Sequence, residues 1–555
     1  MAVSIIIKHQ GVKYDVDVEP ESTGAEFKEI LYSLTGVEPE RQKVLIKGGQ
    51  LKDDADMGKL GLKPKQTIMM MGTPSTGGAD LARPKEKIRF AEDMTDAEVA
   101  QQEGAIPSGL TNLGNTCYLN STLQALRAIP ELQESLVKYE FKGQGGGSAF
   151  AGLPQFDLTT QLKSLFKSMS ETTEGFPPFS FLQALRQVYP QFAERSRTGQ
   201  GYAQQDAEEA WTNILSQIRT SLNVPGTDDS PSVSWVDKYM ALQMTETLTC
   251  DESEAPEGGE EPVVSNETYL KLNCHIDSSI NHLRDGILSG LTEEITKNSA
   301  VLGRDAKYTK TSKISRLPKY LTVQFVRFFW RRDTQKKAKI LRKVTFPKEL
   351  DIVEFCTDDL KSKLIPVRDR LREVVKDEED IERARKRRKT NPSAEAESSQ
   401  TTQDKGKKEE KKAAAADADG DVAMESFKTD AEWEEEKARA LRSAKKELLG
   451  LVNQDLAKDH GANQSGIYEL RGVVTHQGSS ADSGHYTAYV KKPGPKDPKT
   501  GKTGEEDGNW WWFNDDKVSE VPGDKIETLA GGGETHSALI LLYRAVPLPS
   551  AEDVQ

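Results

Sequence analysis

The first 73 residues alternate between apolar and charged positions in a way that predicts strands before any helix. Residues 1–9 read as one strand, and in the next Val12, Tyr14, Val16 and Val18 interleave with Lys13, Asp15 and Asp17, leaving one apolar face. Thr23 stands three residues before Glu26, a capping box that opens a helix, and Phe27, Ile30, Leu31 and Leu34 follow as its expected buried stripe. Gly36 is placed to end it. Two more strands are predicted at 43–46 and 67–71, with the turn Lys47-Gly48-Gly49-Gln50 and the run 51–62 between them. The segment reads as a small, self-contained α+β domain.

Residues 74–104 are rich in Gly, Pro and charge and read as a flexible tether. A large unit spans about 105–547. In it Leu119, Leu123 and Leu126 recur at helical spacing until Pro130 stops the pattern, and Cys117 falls on the first turn. A second helix opens near Asp206, with Trp211, Ile214, Leu215 and Ile218 inward. Farther on, Tyr486, Ala488 and Val490 share one face of a strand. Between about 375 and 447 the periodicity gives way to charge, including a basic run at 383–389 and an alanine-rich run at 413–418. That composition predicts a disordered insert, with a charged helix over 430–449 returning the chain to the fold. Residues 548–555 form a tail.

Composition narrows the partners. No apolar run approaches the roughly 18 residues that span a bilayer, so no membrane partner is expected. The formal charge of −13 argues against nucleic acid. The N-terminal strand lacks the basic start and cleavage site of a signal peptide. Cys117, Cys250, Cys274 and Cys356 have no paired spacing, which suits a reducing compartment. Cys250 runs into Asp251-Glu252-Ser253 and Cys274 has no near partner, so no four-ligand zinc set assembles, and neither metal nor cofactor is expected.

The candidate chemistry centres on Cys117. At a helix start the free N–H groups and the dipole favour thiolate, although a single cysteine is also a good buried hydrophobe. A thiolate nucleophile needs a histidine base held by a third polar group. Of the seven histidines, His9 belongs to the small domain, His275 and His282 lie mid-chain and His460 borders the insert, leaving His476, His485 and His536. His485 stands at a strand mouth in Ser483-Gly484-His485-Tyr486. The aromatic strand Trp510-Trp511-Trp512-Phe513 ends in Asn514 and Asp515. If the two strands pair antiparallel, Asn514 or Asp515 reaches the ring and fixes its tautomer, and geometry alone leaves that choice open.

Two resemblances give these residues a setting. The order ββαβ…β with KVLIKGGQLKDDADMGKLGLKPKQTIMMM resembles ubiquitin over residues 1–73, without a cleavable diglycine after the last strand, which implies an integral docking module. The blocks GLTNLGNTCYLNSTLQAL, GYAQQDAEEAW, SGHYTAYV and WWWFNDDKVS resemble ubiquitin-specific proteases and occur in that family's order. This implies a β-grasp ubiquitin-like domain followed by a papain-like protease domain with fingers, palm and thumb, α+β overall. It implies Cys117 as nucleophile, His485 as base, Asn514 as its orienting group where other members carry aspartate, Asp515 in support and Asn112 as oxyanion donor. Gln205, Asp206 and Glu209 are implied to meet the ubiquitin tail; Asp206 with Glu209 also reads as a helix-capping pair. The segments 325–332 and 476–483 match surface loops beside the substrate channel, and the aromatics of the first read equally as core strand. Together the domains are most similar to the proteasome-associated members of the family. That implies docking on the 26S proteasome regulatory particle, activity gated by docking, removal of ubiquitin from ubiquitinated proteins, and a cytoplasmic and nuclear location, the basic run 383–389 reading as import signal or as solvated charge. The rival reading is a non-catalytic ubiquitin-binding scaffold.

Overall fold

A computed structural model describes residues 3–72 apart from 10–11, 19–21, 36, 38, 47–48 and 64–65, and residues 106–141, 157–196, 201–227, 230–252, 260–331, 336–390, 430–480, 483–495 and 504–550. The proposed tether, the proposed end of the first helix at Gly36 and most of the tail lie outside these residues. The chain divides into two units, 1–90 and 91–555.

In the first unit β1 (Val3–His9), β2 (Val12–Val18), helix α1 (Gly24–Thr35), β3 (Lys43–Ile46), β4 (Gly49–Gln50) and β5 (Thr67–Met71) form a sheet in the order β2-β1-β5-β3-β4, with β1 and β5 parallel. The capping box forms as its spacing requires: the Thr23 N–H donates to Glu26 Oε2 at 2.9 Å and the Glu26 N–H to Thr23 Oγ1 at 3.4 Å. Phe27 and Leu31, one turn apart, are fully buried, but Ile30 and Leu34 are exposed, which corrects the four-residue stripe. The small sheet covers only a narrow band of the helix. On the sheet, Leu45 and Met69 face each other across β3 and β5 and are exposed, together with Met71.

The second unit opens with helices: α2 (Cys117–Arg127), α3 (Pro130–Lys138), α4 (Leu158–Ser170), α5 (Phe179–Val188) and α6 (Ala207–Ser221). Pro130 ends the first pattern by opening the next helix at N1, where its missing N–H costs nothing. The strands that follow include β6 (Leu242–Cys250), β7 (Val263–Tyr269), β8 (Leu272–His275), β9 (Thr292–Ser299), β10 (Arg304–Arg316), β11 (Tyr320–Val326), β12 (Phe328–Arg331), β13 (Lys336–Lys339) and β14 (Glu349–Asp351). After helices α7 (Asp358–Thr390) and α8 (Asp430–Leu451) come β15 (Ile467–Ser480), β16 (Ser483–Lys491), β17 (Trp510–Asn514), β18 (Lys517–Val521) and β19 (Ser537–Ala545).

The main sheet runs β8-β11-β19-β15-β16-β17-β18, with β14 also on β15, and a separate sheet runs β9-β10-β6-β7. Helix α2 is wedged between the helices and the main sheet. Its Tyr118, Leu119 and Leu123 share one core with Trp211 and Ile214 of α6 and with Val474, Tyr486 and Ile540 of the sheet. A wholly buried amphipathic helix of this kind fixes its first residue against the strand edge.

The segment 325–332 divides. Phe325 is core, Phe328–Arg331 pairs with Lys336–Lys339 as a hairpin, and Arg332 is outside the described residues. Arg327 is fully buried and donates to the carbonyls of Ala538, Ile340, Arg342 and Ala530 at 2.8–3.2 Å.

The charged insert differs from its expected disorder at its start, while the charged helix expected over 430–449 forms at its end. Helix α7 continues to Thr390 and α8 starts at Asp430; residues 391–429 lie outside the described set. Val367, Leu371 and Val374 pack against Leu441, Ala444 and Leu448, closed over by Val546 and Leu548. The pairs Arg370–Glu447 and Lys445–Glu378, each at 2.6 Å, flank that seam. A few apolar residues at spacings of three and four are enough for one buried stripe, though the surrounding charge hides them from composition.

Candidate active site

The turn before α2 is built by one side chain. Asn112 Oδ1 accepts from the Gly114 N–H at 2.9 Å, the Thr116 N–H at 3.3 Å and Thr116 Oγ1 at 3.3 Å, while Thr116 Oγ1 accepts from the Leu113 N–H at 2.9 Å. The chain reverses through left-handed backbone at Gly114 (φ +95°) and Asn115 (φ +54°), residues that tolerate it. Cys117 follows as the first helical residue, 3% exposed, and its sulfur accepts from the backbone N–H of Tyr486, one residue along from His485.

The helix start does not make this thiol acidic. Burial pushes Cys117 up to about 11, against the Tyr486 N–H, with the negative charge of Asp515 adding to the rise. Desolvation of an anion outweighs a helix end that falls off within one turn, so the expected thiolate is a protonated thiol in this conformation.

His485 lies at the open end of β16. Gly484 before it has φ +126°, and a Cβ there would lie 2.1 Å from the Gln477 carbonyl and 2.7 Å from His476 Nε2, so only glycine allows the strand to present the ring this way. Strands β16 and β17 pair antiparallel with Ala488 opposite Phe513, which brings the end of β17 beside the ring. His485 Nε2 donates to Asn514 Oδ1 at 2.5 Å, whereas Asp515 Oδ2 is 4.0 Å away. The two candidates left open by the sequence therefore separate.

Asp515, in the left-handed turn between β17 and β18 (φ +54°), faces the cysteine turn instead. Its Oδ2 accepts from Asn112 Nδ2 at 3.0 Å and its Oδ1 from Asn120 Nδ2 at 2.8 Å, while its carbonyl accepts from the Leu110 N–H at 2.9 Å. Asn120 is a residue that sequence reasoning passed over. Its signal was its place three residues after Cys117, on the same face of the helix.

The remaining histidines sit elsewhere. His476 is fully buried, edge-on to the rings of Phe328 and Tyr486. His536 Nδ1 lies 3.2 Å from Thr475 Oγ1 and 3.4 Å from Thr487 Oγ1. Asp206 caps α6, accepting from the Glu208 N–H at 2.9 Å, and lines a cavity of about 200 Å³ with Glu208, Phe325, Phe328 and Phe329. Gln205 and Glu209 do not line it. Glu208, unremarked in the sequence, is ion-paired to Lys271 and accepts from Thr212 Oγ1 at 2.9 Å. Among the described residues no group of three or more His, Cys, Asp or Glu is arranged to hold a metal ion, and no helix is long and apolar enough to cross a membrane.

Comparison with known proteins decides the family. The family model "Ubiquitin carboxyl-terminal hydrolase" matches residues 108–543, and the model "Ubiquitin family" matches residues 5–75. The chain belongs to the ubiquitin carboxyl-terminal hydrolase family. It is similar to "Ubiquitin carboxyl-terminal hydrolase 6" of Schizosaccharomyces pombe, 46% identical over 98% of this chain and 99% of that protein. It is similar also to "Ubiquitin carboxyl-terminal hydrolase 6" of Arabidopsis thaliana (38%, covering 96% of each) and to "Ubiquitin carboxyl-terminal hydrolase 14" of Caenorhabditis elegans (32%, covering 97% of this chain and 92% of that protein). This hydrolase is a cysteine-type deubiquitinase with an N-terminal ubiquitin-like domain.

Proposed function

We propose that this hydrolase cleaves isopeptide bonds at the terminal glycine of ubiquitin on proteins engaged by the proteasome, with Cys117, His485 and Asn514 as its catalytic set. The observation that carries the catalytic set is the meeting of three segments far apart in sequence: the Tyr486 N–H on the Cys117 sulfur and the His485 Nε2–H on Asn514 Oδ1. Asn514 is neutral, so it acts by holding the Nε2–H tautomer, which leaves Nδ1 as the acceptor for the thiol proton. Cys117 gives that proton to His485 and attacks the glycine carbonyl carbon. The oxyanion is held by the Asn112 amide and backbone N–H groups. The C–N bond then breaks as His485 protonates the departing lysine amine, leaving a thioester. Water, deprotonated by His485, hydrolyses the thioester and returns the thiol.

The ubiquitin-like unit supports docking on the regulatory particle. The exposed strip of Leu45, Met69 and Met71 on its sheet is a contiguous apolar surface with no partner of its own among the described residues. Asp206 and Glu208 favour an arginine-bearing ubiquitin tail in the cavity between α6 and β11–β12. Four free cysteines suit the reducing cytoplasm and nucleus. An electrophilic ubiquitin probe tests the chemistry: an adduct that needs Cys117, stronger with proteasome present, is expected, and no adduct under either condition refutes it. Co-sedimentation with proteasome, with and without residues 1–73, tests docking, and undiminished binding after the deletion refutes that role.

A further inference from the structure

The cysteine turn is held from below by a side chain that the mechanism does not use. Asn120 is 2% exposed, and its Nδ2 serves Asp515 Oδ1 at 2.8 Å, the Leu110 carbonyl at 3.2 Å and the Thr111 carbonyl at 3.4 Å. Its Oδ1 is buried without a hydrogen-bond partner. Rotating the amide would aim that oxygen at three acceptors, so the orientation is fixed by what surrounds it. An unpaired buried acceptor costs folding free energy, and it is offset here by what the Nδ2 end holds in place.

Asp515 is the second member. Its side chain is 11% exposed, and among the described residues no lysine or arginine pairs with it; the nearest basic group is His485 Nε2 at 4.0 Å. Two amides hold the carboxylate instead, Asn120 on one oxygen and Asn112 on the other. Asn112 is exposed, yet its Oδ1 takes three donors from its own turn, so its Nδ2 can only face Asp515 and the space beyond. One N–H of that amide is committed to Asp515. The other is left for a ligand.

We propose that Asn120 is a positioning residue that, through the Asp515 carboxylate, aims the free N–H of Asn112 at the oxyanion. The proposal rests on the reading of Asn112 as the oxyanion donor. Asp515 thereby serves the oxyanion side of the site and not the histidine side. The cost is electrostatic, because the same carboxylate opposes ionisation of Cys117, and a fixed donor is gained in exchange.

Charge and geometry make opposite forecasts, which gives the test its resolution. Asp515→Asn removes the charge beside the thiol and turns one acceptor into a donor facing a donor. In the full chain with proteasome, Asp515→Asn and Asn120→Ala should each lower kcat for ubiquitin-coumarin amide by roughly tenfold or more, a fraction of the about 10² to 10³ for a lost donor. Affinity for ubiquitin aldehyde, which forms a tetrahedral adduct, should fall by the same factor. Alkylation of Cys117 by iodoacetamide should be unchanged in Asn120→Ala and unchanged or faster in Asp515→Asn. In an Asn112→Ala background, Asn120→Ala should cost less than about twofold more, since its effect passes through Asn112. Thermal melting identifies a variant that fails to fold, and the shape-conserving Asp515→Asn then decides. Alkylation slowed in step with turnover, a pH profile displaced as for a lost histidine partner, or losses that add to those of Asn112→Ala would overturn the positioning role. Wild-type chain inert to ubiquitin aldehyde would instead overturn the active-site reading beneath it.

Discussion

Asn514 Oδ1 meets His485 Nε2 at 2.5 Å, and the carboxylate of the adjacent Asp515 stays at 4.0 Å. A neutral amide therefore orients the proposed base. Asn514→Ala removes the group that selects the tautomer, and kcat should fall by about 10²-fold, at the low end of what a positioned acid–base group contributes. Asn514→Asp keeps the acceptor and adds charge that favours imidazolium, so it should retain activity while the acid limb of its pH profile moves up. Steady-state kinetics across pH 5–9 on ubiquitin-coumarin amide checks both; full activity in Asn514→Ala would remove Asn514 from the catalytic set.

The Cys117 thiol, pushed up to about 11 by burial, sets a second expectation. In the free enzyme its alkylation rate should climb about tenfold per pH unit through neutrality, with no plateau below pH 9. A thiolate–imidazolium pair formed on docking or substrate binding would bring a plateau near pH 7. Iodoacetamide rates with and without proteasome measure the change. A plateau near neutrality in the free chain would show that the buried thiol is not its resting state.

Local signals made much of this legible and distance hid the rest. Cys117–Arg127, the inward stripe of α6 and the strands of the first unit follow from spacing, because period and burial coincide there. Ile30 and Leu34 misled because helical spacing shows which residues are apolar, not how wide a band the partner sheet covers. The choice between Asn514 and Asp515 stayed open in the sequence for a different reason, and so did what Asp515 supports. Its contact with Asn112 joins residues 403 positions apart, and nothing in either segment announces the other. The thiol's acidity was likewise a matter of burial, which only packing reveals. Glu208 and Lys271 form their pair across two elements for the same reason.

Arg327 lies in the segment 325–332 that resembles a surface loop, but it is a buried pin at the end of the interior strand β11. Four carbonyls from three segments depend on its guanidinium, and burial lowers its pKa to about 10. Arg327→Met matches its length and strands those carbonyls, at about 1–3 kcal/mol for each buried group left unpaired. A loss of at least about 3 kcal/mol is expected in urea titration. Arg327→Lys should recover only part of it, since one ammonium cannot span all four acceptors. A loss below 1 kcal/mol in Arg327→Met would show that water replaces the guanidinium.

Acid should loosen the same region through His476. Burial first, then the Lys339 ammonium that donates to its carbonyl at 2.7 Å, drives the ring down to about 3, with His536 and His485 adding repulsion. The folded value lies below the unfolded value of about 6.5, so the unfolded chain binds the proton more readily. The neutral ring's contribution is complete above pH 6.5 and drains as pH falls from 6.5 toward 3, at about 1.4 kcal/mol per unit. His536, lowered to about 4 by burial, acts in the same direction over a narrower window. Urea midpoints at pH 7.0 and 5.0 should therefore differ clearly, and His476→Phe, which keeps the ring packed against Phe328 and Tyr486, should shrink the difference while leaving the pH 7.0 midpoint nearly unchanged. An equal pH dependence in His476→Phe would assign the acid sensitivity to other groups.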